Sequence, residues 1–415
     1  MISNRIPALT LAVLALSCSA SKRSAPPPDV MLRVAEAMRS PESNRAVLEN
    51  PKVFVAVALR SRAEPDNTEL KSMSRELARI QLRAISARRE SLRTQRAHLY
   101  ELAKRAKLES ANDLITIAYN VDIDATARLA QRFLEKSESL YLAGLSVLGL
   151  GTPSALQAIQ TPETSSGLEP NAPPDTLSAI LQALQSRGYE VDWNHAEGVA
   201  ISVGATLGGA DGALASTQTA APRGVNAAAA LESLYGAFGE ALSRSLAPEA
   251  APSAHLVTRA VFERIAHRAT TWISDLGLPE AAANQQARRS RLWDLVRRRE
   301  QAARLRFERT WLARPGVRAD EVYQNEIVER LHVTSDFEAF SSQPPEWGQA
   351  VARFRAAHRS YRLENYLAKT HGERWWEQPA LLDTLKDYAM GRIAHAENDG
   401  TAPSLVPVAR TLIGD

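Results

Sequence analysis

The side chains that could do chemistry concentrate between residues 227 and 272, where carboxylates and imidazoles stand at helical spacing. Glu263 and His267 are four residues apart, which places both on one face of an α-helix. Glu240 precedes them on another helical segment, and His255 lies at the start of theirs. Carboxylates and imidazoles are ligands of divalent metals such as zinc. One hypothesis is therefore a weak metal site of Glu240, Glu263 and His267; the alternative is a structural ion pair between Glu263 and His267.

Two predicted helices must position these groups. The first begins at Ala227, is rich in Ala and Leu, repeats apolar residues at helical spacing as far as Leu242, and stops near Pro248. The second extends from about His255 to Trp272. Its apolar face consists of Val257, Val261, Ile265 and Trp272.

The other residues that catalysis could use form no constellation. The eight histidines include no close pair, and serine and aspartate are too common to nominate a triad. Cys18 is the only cysteine and precedes the mature chain or begins it, which excludes thiol catalysis. The Gly/Ala-rich stretch from Gly204 to Gly212 matches neither the P-loop nor the dinucleotide fingerprint, so nucleotide binding is not expected.

A second landmark lies near the C-terminus. A helix containing Leu363-Glu364 is predicted to end at Gly372, because glycine favours the backbone conformation that terminates helices. Trp375 and Trp376 follow and are expected to fill the gap between this helix and another that starts near Pro379.

This layout resembles the thimet oligopeptidase and oligoendopeptidase family of zinc metallopeptidases, which are gluzincins. Members often carry a Leu-Glu helix followed by a Gly-x-x-Trp-Trp turn, here Gly372-Glu-Arg-Trp-Trp376. The likeness extends over most of the mature chain, through long N-terminal helices, a small β segment, two core helices and a helical C-terminal part. It implies a mostly α, two-lobed fold around a cleft, with a β excursion around residues 189–203.

Transferred to this chain, the zinc motif of that family is degenerate. The family binds zinc through His-Glu-x-x-His on the first core helix and a glutamate on the second. Here Gly236 stands in place of the first histidine, Ala237 in place of the general base and Glu240 in place of the second histidine. Glu263 alone keeps the identity of a ligand, 27 residues after Gly236. The likeness therefore implies zinc in the family and no cofactor here.

The same likeness assigns an oxyanion-stabilising tyrosine to the C-terminal part of the chain. The corresponding position falls near Ala357-His358, with Tyr361 one turn further along the helix. The sequence does not place that tyrosine where the family has it.

Length and composition favour a large, mostly α protein. The 415 residues suffice for two lobes, predicted as 30–187 and 227–415 with a small β and loop segment at 188–226 between them. The stretch from Glu69 to Lys107 is predicted as one long amphipathic helix or two in line. The net charge is only +3, which gives no case for a nucleic-acid partner.

Arginines crowd one later segment. Residues 288–309 hold nine of them, which predicts an exposed basic helix face, with contact to anionic lipid headgroups or to acidic segments of a partner as the functional alternatives.

The N-terminus carries an export signal. An apolar run from Ile6 to Leu16 follows Arg5 and is too short to span a bilayer. Cys18 follows Ala15-Leu16-Ser17, which resembles a bacterial lipobox and predicts a signal peptide at 1–17 and a lipidated Cys18; cleavage after Ala20 is the alternative. Residues 18–29 would form a flexible tether, and the protein would reside in a bacterial cell envelope or periplasm.

The function expected from these patterns is that of a non-catalytic relative of the oligopeptidases that binds peptides or a protein partner in a helical cleft. A metal-dependent peptidase with a relocated site is one alternative. A helical envelope scaffold unrelated to peptidases is the other.

Overall fold

The expected helical architecture is present in the computed structural model of the chain. The structure describes residues 28–41, 43–88, 90–147, 199–203, 215–219, 227–247, 250–276, 278–314, 316–332, 337–342, 346–378 and 380–393. Apart from one two-stranded hairpin, the regular elements of these ranges are helices. The mostly α prediction is therefore confirmed.

Between residues 28 and 147, the described part of the chain forms eight helices: α1 Pro28–Arg39, α2 Arg45–Leu48, α3 Pro51–Ala63, α4 Thr68–Ser86, α5 Leu92–Arg105, α6 Asn112–Tyr119, α7 Ile123–Lys136 and α8 Glu138–Val147. Short polar side chains begin several of them. Asn67 accepts a hydrogen bond from the backbone N–H of Leu70 to start α4, and Ser91 accepts one from Thr94 to start α5. The segment predicted at Glu69 to Lys107 is thus two helices.

The β segment is a hairpin of β1 Val199–Val203 and β2 Ala215–Thr219, which pair antiparallel with Ile201 opposite Thr217. The first strand matches the predicted strand at 198–203. The other predicted strand, at 188–193, lies outside the described residues. The partner strand β2 was not predicted.

The described residues from 227 to 393 add nine helices: α9 Ala227–Leu246, α10 Pro252–Glu263, α11 Ala269–Leu276, α12 Glu280–Ala313, α13 Ala319–Tyr323, α14 Glu329–Leu331, α15 Phe337–Ser342, α16 Gln349–His371 and α17 Leu381–Ala389. Short 3-10 turns at Arg264–His267 and Trp375–Glu377 and a π-helical turn at Gln324–Val328 connect some of them.

Buried apolar side chains form two cores. The first core joins the N-terminal helices to the C-terminal half of α12, the chain as far as α15, and the start of α16. The second core joins α9, α10, the start of α12, the rest of α16 and α17. The predicted segment boundaries stay a prediction, but α12 and α16 contribute to both cores.

The long helix α12 carries the arginines that were expected to be exposed. That expectation was wrong, because Arg298 is 5% exposed, Arg299 is 0% exposed, and Arg297, Arg306 and Arg309 are paired with acidic groups on other elements. A helix that packs against α7 on one side and α16 on another has little free face. Its arginines therefore act as internal cross-links.

No helix within the described residues combines the length and the apolarity needed to cross a bilayer.

Candidate functional site

The crossing of α9 and α10 is built around two glycines on the buried face of α9. A Cβ atom at Gly236 would lie 2.5 Å from Cγ of Glu263, and one at Gly239 would lie 2.6 Å from Cγ of Phe262. Any larger side chain would overlap these groups, so glycine permits the close approach of the two helices. Gly236 and Glu263, to which the resemblance assigned two positions of the zinc motif, therefore face each other directly.

Arg259 bridges the carboxylates of Glu240 and Glu263. Its Nη1 atom donates to Oε2 of Glu240 at 3.1 Å, and its Nε atom donates to Oε1 of Glu263 at 2.9 Å. Arg244 donates to the other oxygen of Glu240 at 2.7 Å. Guanidinium groups thus engage the carboxylates that a metal ion would otherwise need.

The charges of this group reinforce one another. Burial alone would raise the pKa of Glu240, but Arg244 and Arg259 lower it below its ordinary value. Burial opposes the charge of Arg259 as well, yet Glu263 and Glu240 raise the pKa of its guanidinium. Glu240 and Arg259 therefore favour each other's charged form within an ion-pair network that also includes Arg244 and Glu263.

His267 does not join Glu240 and Glu263. Helix α10 ends at Glu263, and the 3-10 turn at Arg264–His267 breaks the four-residue periodicity on which the predicted pairing depended. The Nε2 atom of His267 instead lies 3.4 Å from Oε1 of Glu232. Among the described residues, no group of three His, Cys, Asp or Glu side chains is placed to hold a metal ion. The expected grouping of these three residues is corrected accordingly.

Glu232 is the centre of a second, buried network that the sequence pattern did not single out. It is 1% exposed and accepts hydrogen bonds from Ser290 and Arg297 of α12. Burial opposes the charge of Arg297, but Glu232, Glu263 and Asp294 raise its pKa. Glu232 precedes Gly236 by one helical turn and so shares its face of α9. This spacing is the signal by which the sequence could have identified Glu232.

Ser243 and His255 form a hydrogen bond of 2.9 Å between Oγ and Nδ1. The two are 1% and 2% exposed, so no substrate reaches them. Burial, with help from Arg244, lowers the pKa of His255 to about 4 and keeps the imidazole neutral. The pair fastens α9 to the start of α10.

The C-terminal segment that contains Glu364 and the two tryptophans packs against α10 and the turn that follows it. Glu364, from the predicted Leu-Glu helix, accepts from Arg264 at 2.6 Å and from Arg268 at 2.7 Å. Trp375 is fully buried, and its ring lies edge-on to Phe262 at 5.5 Å between centroids. The expectation that these tryptophans pack in a core is confirmed.

Tyr361, the nearest tyrosine to the predicted oxyanion position, lies beneath arginines. The guanidinium carbon of Arg264 is 3.4 Å from the centroid of its ring, and that of Arg298 is 4.6 Å away. Burial and the surrounding arginines lower the pKa of the neighbouring His358 to about 4. Both residues belong to a packed, arginine-rich layer between α12 and α16.

Two predicted positions lie beyond what can be described. The backbone of Ala237 belongs to α9, but its side chain is outside the described set, and Cys18 is outside the described residues altogether.

No protein-family model, no curated protein and no solved structure matches this chain. The function is therefore inferred from the contacts among α9, α10, α12 and α16.

Proposed function

We propose that the protein is a non-catalytic relative of the oligopeptidase-type zinc metallopeptidases that binds peptides or a protein partner in a cleft of a two-lobed helical fold. The observation that supports this most is the position of Arg259. Its guanidinium lies between Glu240 and Glu263, two of the places where the family would hold zinc. The contact of Gly236 with Glu263 supports the same correspondence, because the resemblance to the family implies that those two positions face each other.

The chemistry of the group favours binding over hydrolysis. A zinc peptidase needs three protein ligands, an open position for water and a general base. Glycine at 236 and alanine at 237 provide no ligand and no base. The two remaining carboxylates are neutralised by arginine.

A restoration experiment tests the ancestry. The variant Gly236→His, Ala237→Glu, Glu240→His with Arg259→Ala should gain zinc binding measurable by calorimetry, with the natural Glu263 as third ligand. The same variant with Glu263→Gln should bind about tenfold more weakly or worse. Loss of folded structure is monitored by circular dichroism. A folded restoration variant that binds no zinc, or binds it equally with Glu263→Gln, contradicts the proposed correspondence.

A direct assay tests the lack of catalysis. The natural protein should cleave no member of a quenched peptide library, with or without added zinc, while uncleaved members bind to it. Cleavage abolished by a chelator would favour the relocated-site peptidase instead. Absence of any peptide or protein binding would favour a helical scaffold.

The proposed location is a bacterial envelope, with the chain anchored through lipid on Cys18. Expression in a bacterial host should yield a protein that partitions into detergent and carries the mass of an acylated N-terminus. Cys18→Ser should release it into the soluble fraction, and unchanged partitioning of this variant would contradict the anchor.

A further inference from the structure

A cavity of about 500 Å³ lies beside α6, between the start of α7 and the end of α12. None of its lining residues belongs to α9 or α10, so it is separate from the helix crossing on which the proposed function depends. Its volume is within the usual range of pockets that hold small organic ligands.

The cavity is open to solvent on one side and lined by buried side chains on the other. Asn120, Asp122 and Asp124 are exposed at its opening. Val121 and Ile123 are only 4% and 5% exposed and give the lining an apolar part. A ligand that enters from solvent therefore meets both carboxylates and apolar side chains.

Negative charge exceeds positive charge in the lining, where Asp113, Asp122 and Asp124 accompany one arginine, Arg309. One oxygen of each carboxylate is held by the protein. Asp113 accepts from the backbone N–H three residues before it at 2.9 Å, and Asp122 accepts from the one three residues after it at 2.8 Å. Asp124 accepts from Nε of Arg309 at 2.9 Å. The carboxylates are thus fixed in place, and each keeps a second oxygen for another donor.

Asn112 provides a buried acceptor that the protein leaves unused. This lining residue is 7% exposed, and its Nδ2 atom donates to the backbone carbonyl of Arg309 at 3.2 Å. Because a carbonyl oxygen only accepts, this bond determines which end of the amide is Nδ2 and directs Oδ1 away from α12. Oδ1 has no hydrogen-bond partner among the described residues. Buried acceptors are rarely left unpaired, so this atom indicates a missing donor.

The acidic groups stand at both ends of α6. This helix has eight residues and is therefore about 12 Å long. Asp113 lies in its first turn, whereas Asp122 and Asp124 follow Asn120, whose left-handed backbone ends the helix. The lining thus carries carboxylates at two separated places, with Thr116 of the same helix between them.

We propose that this cavity binds an aliphatic diamine or polyamine, an activity that is independent of the proposed peptide binding. Each ammonium group carries three donors and no acceptor, which suits a lining of carboxylate and amide oxygens. One ammonium group would pair with Asp113 and another with Asp122 or Asp124. The methylene chain between them would pack on the apolar part of the lining.

The lining fits other classes of ligand less well. Among the described residues, no group of three His, Cys, Asp or Glu side chains is placed to hold a metal ion. An anion would meet three carboxylates and a single arginine that is already paired. An organic cation with separated charges satisfies both the charge and the volume.

Isothermal titration calorimetry on the full chain tests the inference with two probes of equal carbon number. Hexamethylenediamine has an ammonium group at each end, and hexylamine has only one. At about 50 mM NaCl, where charge interactions are weakly screened, the diamine should bind at least about tenfold more tightly. The physical reason is that its second ammonium group adds a charge-assisted hydrogen bond.

Two substitutions remove charge and keep shape. Asp113→Asn and Asp122→Asn should each weaken diamine binding about fivefold or more. Asparagine still accepts a backbone hydrogen bond through Oδ1, so thermal melts should show that both variants fold as the natural chain does. The matched control is Asp66→Asn, at an exposed aspartate outside the lining, which should leave binding unchanged.

Arg309→Gln provides a test of opposite sign. It removes the positive charge of the lining and releases Asp124, while the backbone carbonyl that Asn112 uses stays in place. Diamine binding should tighten about twofold or more. A loss of structure would instead weaken it.

Several results would overturn the inference. They are the absence of diamine binding, equal affinities for the diamine and hexylamine, or unchanged affinity in folded Asp113→Asn and Asp122→Asn variants. Displacement of the diamine by Mg²⁺ or Ca²⁺ at a lower concentration than by a second amine would also overturn it, in favour of a metal site.

Discussion

At the scale of single residues, Arg259 neutralises Glu240 and Glu263 and holds α9 to α10. A guanidinium has no open coordination position and cannot lower the pKa of a bound water, as zinc does. Under the proposed descent from a zinc peptidase, Arg259 would preserve the helix crossing without supplying a Lewis acid.

The contact between Gly236 and Glu263 makes a prediction about stability. Gly236→Ala should gain about 1 kcal/mol of helix propensity but lose more by overlap with Glu263, for a net loss of about 1–2 kcal/mol. In a Glu263→Ala background the overlapping Cγ is gone, so the same substitution should become stabilising. Urea unfolding of the four proteins of this cycle measures the effect.

Gly239→Ala serves as the matched control for that cycle. Its Cβ would meet the ring of Phe262, which Glu263→Ala does not remove. Gly239→Ala should therefore destabilise both the natural chain and the Glu263→Ala variant. Identical behaviour of the two glycines would show that the Gly236–Glu263 contact is not specific.

Glu308 makes a prediction about pH. It is 1% exposed, accepts from the backbone N–H of Gly348 at 2.9 Å, and has no partner for Oε1 among the described residues. Burial raises its pKa to about 8 despite this hydrogen bond. The folded state then holds a proton that the unfolded state releases near pH 4.5, so stability falls as pH rises from about 4.5 to 8.

Glu308→Gln removes the titration and keeps the shape. As the pH rises from 5 to 9, the free energy of unfolding of the variant should increase by about 2–4 kcal/mol relative to that of the natural chain. Glu101→Gln, at an exposed pair with Arg105, should track the natural chain. Parallel pH profiles of the Glu308→Gln variant and the natural chain would contradict the buried, protonated carboxyl.

Some of these contacts between residues could be predicted from the sequence, and others could not. The two helices that carry Gly236 and Glu263 were predicted, and the structure brings these two residues together. The pairing of Glu263 with His267 failed because it assumed that α10 continues, whereas the helix ends at Glu263. Arg259 was overlooked because a guanidinium four residues before a glutamate is common on solvated helix faces.

At the scale of elements, terminators were predictable and burial was not. The glycine at 372 ends α16 with φ of +87°, and the tryptophans after it are buried, as the pattern indicated. The arginine-rich helix α12 was expected to face solvent because composition alone resembles a solvated surface. Its partners come from remote positions such as Glu232, Glu326 and Asp124, which local patterning cannot reveal.

Arg299 shows what that burial implies for α12. It donates to the carbonyl of Leu134 at 2.7 Å, to Oγ of Ser137 at 2.9 Å and to the carbonyl of Arg330 at 2.7 Å. Lysine cannot reproduce this fork, so Arg299→Lys should cost about 3 kcal/mol. Arg304→Lys, at a pair with Glu300 within one helix, should cost less than about 0.5 kcal/mol. Equal costs in chemical denaturation would contradict the cross-linking role of Arg299.

At the scale of the whole molecule, two helices hold the two cores in register. Helix α12 contributes Ala287 to the second core and Leu292 to the first, and α16 contributes Phe354 to the first and Leu363 to the second. Neither core can unfold without fraying both helices.

The two cores should therefore open together. In native-state hydrogen exchange with increasing urea, amides of α6 in the first core and of α10 in the second should lose protection along one isotherm. Arg289→Pro interrupts α12 between Ala287 and Leu292, where a proline removes a helical hydrogen bond and costs about 3 kcal/mol. It should split the isotherm into two, while Arg289→Ala should leave one. Separate isotherms in the natural chain would mean that the two cores unfold independently.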